Sequence, residues 1–294
     1  MSIKRVSYLN KGRKNANFEI VTFSDFFKTR PKSLIEKDFR LNFWILLYIT
    51  KGSGVHSIDF FEYPYKAGDL FVISKNQVHS FRVNYEVEGY IININEPYFI
   101  ENGESRDMDM LSFFETPYGK PIIHIDTTKK SISRQLIDLL YKEYLFYEEK
   151  FNKDKNSEKL IKSLFNSFVY SIRGENKNKI KSFSSTSYKN YFEYRELVEK
   201  NFCKLKSVSD YEKIMGLTKK TINAACRECA DISAKQLIIN RIILEAKRLL
   251  VQGNLKNYEI SNKLGFDEPA NFANFFKKNT KLSMGEFKVK TPLG

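Results

Sequence analysis

The spacing of hydrophobic and polar positions changes character twice along the chain. From residue 18 to residue 100 apolar residues fall in short runs, among them Phe43 to Thr50, Gly54 to Phe61, Asp69 to Ser74 and Gly89 to Asn95. Turn sequences such as Lys51-Gly52-Ser53-Gly54 and Lys66-Ala67-Gly68-Asp69 separate them. Runs rich in β-branched and aromatic residues between glycine-bearing turns predict strands, and strands this short and regularly spaced predict a sandwich or barrel. Spacings of three and four follow, over Ser133 to Tyr147 (Leu136, Leu139, Leu140, Tyr144) and Glu158 to Ile172 (Leu160, Leu164, Phe168). These predict an αα-hairpin packed on the barrel or on a second copy of the chain.

Residues Arg173 to Asn190 hold one aliphatic residue among many Ser, Asn and Lys, which is the composition of a linker. Everything beyond is helical in pattern and contains an internal repeat. Ile214-Met215-Gly216-Leu217-Thr218 aligns with Lys263-Leu264-Gly265-Phe266-Asp267. Past one inserted residue, Ile222, Cys226, Ser233 and Leu237 align with Phe272, Phe276, Ser283 and Phe287. Each copy reads as a short helix, a Gly to end it, an apolar plug, a capping residue and a second helix of about three turns, which is how a helix-turn-helix is written. Thr218 and Asp267 are the expected caps, and Pro269 suits the first turn of the second copy's helix. Ser233-Ala234-Lys235-Gln236 and Ser283-Met284-Gly285-Glu286 have the form of a capping box, so each copy launches a further helix. The first of these, Ala234 to Gln252, is long enough to join the two units rigidly.

The chain carries 49 Lys and Arg against 35 Asp and Glu, a net charge of +14. Residues 191–294 hold 19 basic and 12 acidic residues, and 173–190 hold 5 and 1, so the positive potential concentrates where a nucleic acid would dock. No apolar run is long enough for a signal-peptide core near Met1 to Phe18 or for a membrane span, and three clustered cysteines do not make a secreted disulfide framework. The expectation is a cytoplasmic protein with no membrane partner.

Ser207-Val208, Gly216-Leu217-Thr218, the run Arg241 to Leu250, and Lys263-Leu264-Gly265-Phe266 followed by Phe272 and Phe275-Phe276-Lys277-Lys278 form an ordered series across residues 190–290. This series carries a resemblance to the AraC family of bacterial transcription regulators. It implies a regulator, activating by analogy, that binds double-stranded promoter DNA with two recognition helices in successive major-groove segments. It also implies a sensing or dimerising region ahead of the linker, a homodimer and a contact with RNA polymerase. The expected architecture is α+β: a cupin-like β-barrel with a helical hairpin over residues 1–173, a linker over 174–189, and an all-α domain of two helix-turn-helix units joined by a long helix over 190–294. The family pattern Thr-Gly-x-Ser-Pro after each recognition helix is replaced by Ala230-Asp231-Ile232-Ser233-Ala234 and Thr280-Lys281-Leu282-Ser283-Met284. The arginine usual on each recognition helix is replaced by Ala224 and Asn274, and Glu212 stands where a small residue usually packs.

On the first recognition helix Ile222, Ala225, Cys226 and Cys229 form an inward stripe, leaving Lys219, Lys220, Asn223 and Arg227 outward. On the second, Phe272, Phe275 and Phe276 turn inward and Asn271, Asn274, Lys277 and Lys278 outward. Asn suits adenine, and Lys or Arg suits guanine or phosphate, so the outward sets are the candidate DNA contacts. Cys226-x-x-Cys229 lies within one helix with no second pair, so it reads as core and not as a metal site. In the β-rich region Trp44, Tyr48, His56, Tyr65 and His79 read either as the wall of a small-molecule effector pocket or as packed core. The region resembles a cupin arm, yet His56 and His79 stand apart and lack the His-x-His, Glu and later His of metal-dependent cupins. A cupin-fold metal enzyme with a DNA-binding appendage is the less favoured alternative, beside a ligand-free dimeric regulator; no cofactor is expected. The apolar stripe of Leu136, Leu139, Leu140, Tyr144, Leu160, Leu164 and Phe168 is the candidate dimer contact.

Overall fold

The computed structural model describes residues 4–6, 17–29, 38–59, 61–75, 77–82, 86–101, 105–106, 110, 113–114, 121–126, 128, 131–149, 155–175, 185–253 and 255–290. The chain divides into two compact units, one Arg5–Lys181 and the other Ser182–Gly294 together with Lys4.

The first half is built on two five-stranded sheets, the cupin-like arrangement expected. One has the order β1-β3-β8-β5-β6, formed by β1 (Lys4–Val6), β3 (Phe39–Leu41), β8 (Val78–Arg82), β5 (Ser53–Ile58) and β6 (Phe61–Lys66). The other has the order β12-β7-β4-β9-β2, formed by β12 (Ile122–His124), β7 (Asp69–Ile73), β4 (Trp44–Lys51), β9 (Glu88–Ile94) and β2 (Phe18–Thr22). A two-stranded ribbon, β10 (Ile100–Glu101) with β11 (Ser105–Arg106), and a short helix α1 (Phe23–Thr29) complete it.

Strand β4 explains the layering. Its residues Trp44 to Ile49 are all buried, because both faces of the strand are covered. Ile45, Leu47 and Ile49 meet Phe71, Ile73 and Ile91 of their own sheet and Ile58, Tyr65 and Phe81 of the other, forming the core between the sheets. Burying each such aliphatic side chain stabilises the fold by roughly 1.5–3 kcal/mol. On the opposite face Trp44 lies 5.1 Å from the Phe99 ring, and Tyr48 lies 6.4 Å from Phe168 on the helical hairpin.

That hairpin consists of α2 (Ile132–Glu149) and α3 (Lys155–Glu175), slightly longer than the periodicity predicts. It covers the outer face of the second sheet: Phe18 of β2 stacks edge-on with Phe165 at 5.2 Å and Tyr144 at 6.1 Å, and Tyr90 donates to Asp138 at 2.7 Å. The expected dimer stripe therefore needs correction. Leu140, Phe168 and Tyr144 are consumed by the chain's own core, being 0%, 0% and 6% exposed. Leu136 and Leu164 are half-buried, while Leu139 and Leu160 stay exposed.

The expected linker is also narrower than its composition suggests. Gly174 and Glu175 belong to α3, and residues 185–189 open a helix, α4 (Ser185–Asn201), in which Tyr188 is buried; residues 176–184 lie outside the described residues. After α4 come α5 (Val208–Met215), α6 (Lys219–Ala230), α7 (Ala234–Gln252), α8 (Asn257–Lys263), α9 (Pro269–Thr280) and α10 (Met284–Lys290). α7 occupies the span that its capping box and apolar periodicity predict. Tyr194 of α4 knits this unit together: it is fully buried, lies 5.3 Å from the Tyr211 ring and donates to the Ala234 carbonyl at 2.9 Å. Among the described residues no helix is long and apolar enough to cross a membrane.

Candidate nucleic-acid interface

Two helix-turn-helix units, α5–α6 and α8–α9, have recognition helices of 12 residues each, α6 and α9. Both turns are made by glycines in the left-handed region, Gly216 at φ 64° and Gly265 at φ 70°, a conformation that spares glycine the Cβ clash other residues meet.

The amino ends of the two recognition helices differ. Thr218 caps α6 by accepting from the Thr221 amide at 3.2 Å. Glu212, reaching across from α5, accepts from the Lys219 amide, so the acidic residue that departs from the family pattern satisfies a second orphan amide of α6. The second unit corrects an expectation: Asp267 is not the cap of α9. The helix starts one residue later, at Pro269, with Glu268 in the cap position and no side-chain cap bond. Its amino end is shaped by the proline and by Phe266, whose ring lies 5.2 Å from both Phe272 and Phe275.

The inward stripes form as the spacing predicts. Ile222, Ala225, Cys226 and Cys229 are buried on α6, and Phe272 and Phe276 on α9, with Phe275 half-buried against Phe266. Cys226 and Cys229 are buried in the core and form no disulfide, and burial pushes the Cys226 thiol up to about 12. On the outer faces Lys219, Lys220 and Arg227 of α6 and Asn271, Asn274, Lys277 and Lys278 of α9 are exposed. α9 carries no acidic residue at all, and α6 carries one, Glu228. Asn223 separates from this set. Its side chain donates to the Lys219 carbonyl at 2.9 Å and accepts from the Ala234 amide at 3.0 Å, so it is engaged in the protein.

The connector α7 is fixed to the rest of the unit by a buried ion-pair network that sequence reasoning passed over. Arg241, 4% exposed, donates to both carboxylate oxygens of Glu199 on α4 and to Glu245 at 3.0 Å, and its guanidinium lies 3.9 Å from the centroid of the Phe202 ring. Arg241 and Glu245 were visible in the sequence as part of the α7 run, but the partner 42 residues upstream was not.

In the first half of the chain the five expected pocket residues do not converge. His56, Tyr65 and His79 face the space between the sheets, whereas Trp44 and Tyr48 lie on the opposite face of their sheet, Trp44 against Phe99 and Phe114 and Tyr48 against Phe168 of the helical hairpin. His56 and His79 lie 5.3 Å apart, are fully and nearly fully buried, and have no hydrogen-bond partner on any ring nitrogen. Burial lowers both: His79 to about 4, with Asp59 opposing, and His56 well below its usual value, with His79 adding to the effect. Among the described residues no group of three or more His, Cys, Asp or Glu is placed to hold a metal ion.

Comparison with known proteins finds two family matches, a helix-turn-helix domain over residues 211–289 and an AraC-like ligand binding domain over residues 37–144. No curated protein matches the chain. Among solved structures, ToxT from Vibrio cholerae is 13% identical, with a TM-score of 0.44, covering 95% of this chain and 100% of that one. The C-terminal domain of AraT, a response regulator from Geobacillus stearothermophilus, is 19% identical with a TM-score of 0.33, covering 36% of this chain and 88% of that one. The two domain matches fall in order on a double-sheet unit and a paired helix-turn-helix unit, and the chain belongs to the AraC family: it is a DNA-binding transcription regulator with an AraC-like ligand-binding domain.

Proposed function

We propose that this regulator recognises promoter DNA through the outer faces of α6 and α9, with Lys219, Lys220 and Arg227 on the first and Asn271, Asn274, Lys277 and Lys278 on the second. The observation that carries the reading is the exposure of these residues on two recognition helices of equal length whose opposite faces are buried. Short amides on α9 suit adenine edges, while the flanking lysines suit phosphates. Residues 1–173 act as the sensing and dimerising part, residues 174–189 as the connection, and 190–294 as the DNA-binding part.

A small-molecule effector modulates binding in this reading. The support is the partnerless imidazole pair between the sheets, since buried polar groups without partners are uncommon in a finished core. Homodimerisation would run through the exposed remainder of the hairpin stripe, Leu139 and Leu160, and contact with RNA polymerase would make the protein an activator.

Selection of bound sequences from random duplex DNA by the purified full chain tests the reading. A common sequence with two separated segments is expected. Repeating the selection with candidate metabolites present is expected to change affinity or site choice for the effector. Recovery of unrelated sequences, bound with equal strength, would overturn sequence-specific recognition.

A further inference from the structure

The loop between α4 and α5 touches both helix-turn-helix units at once. Lys206 extends its ammonium to two main-chain carbonyls, those of Cys203 at 2.9 Å in its own loop and of Gly265 in the turn of the second unit. The same ammonium sits 4.9 Å from the centroid of the Phe266 ring. Its own carbonyl accepts from Lys235, at the start of α7, at 2.6 Å. The backbones themselves are in contact here: a Cβ added at Gly265 would collide with the Cys203 carbonyl oxygen. Lys206 is half-buried, and its ammonium meets carbonyl dipoles and the face of an aromatic ring.

We propose that Lys206 is a positioning residue for DNA recognition, a strap that holds the turn of the second helix-turn-helix unit against the entry to the first and so fixes the separation of α6 and α9. The inference rests on the reading that both helices face DNA. The connector α7 sets the distance between the units, but a helix constrains rotation about its own axis only through what packs on it. Lys206 adds an attachment off that axis, between segments 59 residues apart in sequence. Two helices can engage two groove segments together only when their spacing matches that of the DNA, so stiffness in this joint becomes affinity for one spacing.

The experiment uses the full chain, the selected duplex, the same duplex with one or two base pairs inserted between its segments, and a duplex carrying one segment. Lys206→Met keeps the stem on Phe266 and removes the donors. It is expected to bind the selected duplex about tenfold more weakly than the wild type, the scale of one charged hydrogen bond, and the single segment equally well. Inserted base pairs are expected to penalise the wild type much more than the variant. The salt slope of binding is expected to stay unchanged, because the ammonium holds no phosphate. Equal affinity of both proteins for every duplex would overturn the strap. So would an equal loss on the single segment, or a salt slope reduced by about one. Lys206→Gln, which removes the charge and shortens the side chain while leaving a neutral amide donor group, serves the same comparison if the Met variant does not fold. A wild-type chain that selects no common sequence would overturn the DNA reading itself, and the strap with it.

Discussion

Asn223 and Ala234 are joined by a hydrogen bond that ties the first recognition helix to the start of the connector: the Asn223 carboxamide oxygen accepts from the Ala234 amide at 3.0 Å. Ser233 accepts from the Gln236 amide at 3.1 Å, so two side chains from different positions share the orphan amides at the amino end of α7. Asn223→Ala should lower stability by about 1 kcal/mol, and its effect on DNA should be uniform across sequences. Asn271→Ala and Asn274→Ala should leave the melting temperature nearly unchanged and cost about 1–3 kcal/mol at one base pair each. Thermal unfolding combined with binding to a panel of single-base-pair variants separates the two classes. A base-specific loss in the Asn223 variant would reverse its assignment.

The imidazole pair makes the double-sheet unit sensitive to acid. His56 and His79 have lowered folded values, so below about pH 6.5 the unfolded chain takes up protons that the folded core refuses. Their contribution is fully present above that pH and is lost as the pH falls toward 4, by up to about 3 kcal/mol for His79. Trp44, the single tryptophan and buried in this unit, reports its unfolding within the full chain. The urea midpoint followed by Trp44 fluorescence should fall between about pH 7.5 and about pH 5, and fall less in His56→Leu. Parallel pH curves for the variant and the wild type would remove the histidines from the account.

Both recognition helices end on non-glycine residues in the left-handed region, Asp231 at φ 57° and Lys281 at φ 63°. Asp tolerates this conformation better than Lys, because its short side chain finds local hydrogen bonds. Lys281→Gly should therefore stabilise the protein by about 1 kcal/mol, and Asp231→Gly by less. Melting temperatures of the two variants decide the order; destabilisation by Lys281→Gly would show that the lysine side chain compensates through contacts of its own.

The two turn glycines were equivalent in the sequence, each following a short helix and preceding an apolar plug. The structure separates them. Around Gly216 there is open space where a Cβ would go, whereas at Gly265 the Cys203 carbonyl occupies it. Gly216→Ala should cost about 1 kcal/mol, from the left-handed backbone alone. Gly265→Ala should cost distinctly more, since the loop must also move, and calorimetry on the two variants makes the comparison.

The repeat, the Thr218 cap and the inward stripes were legible because they are local: each depends on residues within a few turns of one another. What escaped was long-range. The pairing of Arg241 with Glu199 and the reach of Lys206 to Gly265 bridge segments far apart in sequence, and no spacing rule encodes them. The fate of Asn223 escaped for a related reason, since helical periodicity places it near the edge of the outer face without revealing that Ala234 needs an acceptor. In the double-sheet unit the strands were legible as runs, yet Trp44 and Tyr48 lie in a strand covered on both sides, so alternation could not say which face met the other sheet.

The helical hairpin shows the same limit and yields the last prediction. Periodicity gave one apolar stripe, but a helix pair lying on a sheet must divide its apolar residues between that sheet and whatever lies outside. Leu140 and Phe168, both fully buried, are core, and truncating them to Ala should cost about 2–5 and 3–5 kcal/mol respectively. Leu139 and Leu160 are 51% and 45% exposed, so Leu139→Glu and Leu160→Glu remove no internal contact of that size and should leave Trp44-detected unfolding close to the wild type. If these leucines form the contact between two copies, a buried carboxylate would oppose association, and the double variant should sediment as a monomer at concentrations where the wild type is a dimer. Tighter binding by the dimer to paired sites should then disappear in the double variant while binding to a single site persists. Unchanged sedimentation of the double variant would remove the exposed leucines from the interface and send the search to another face of the chain.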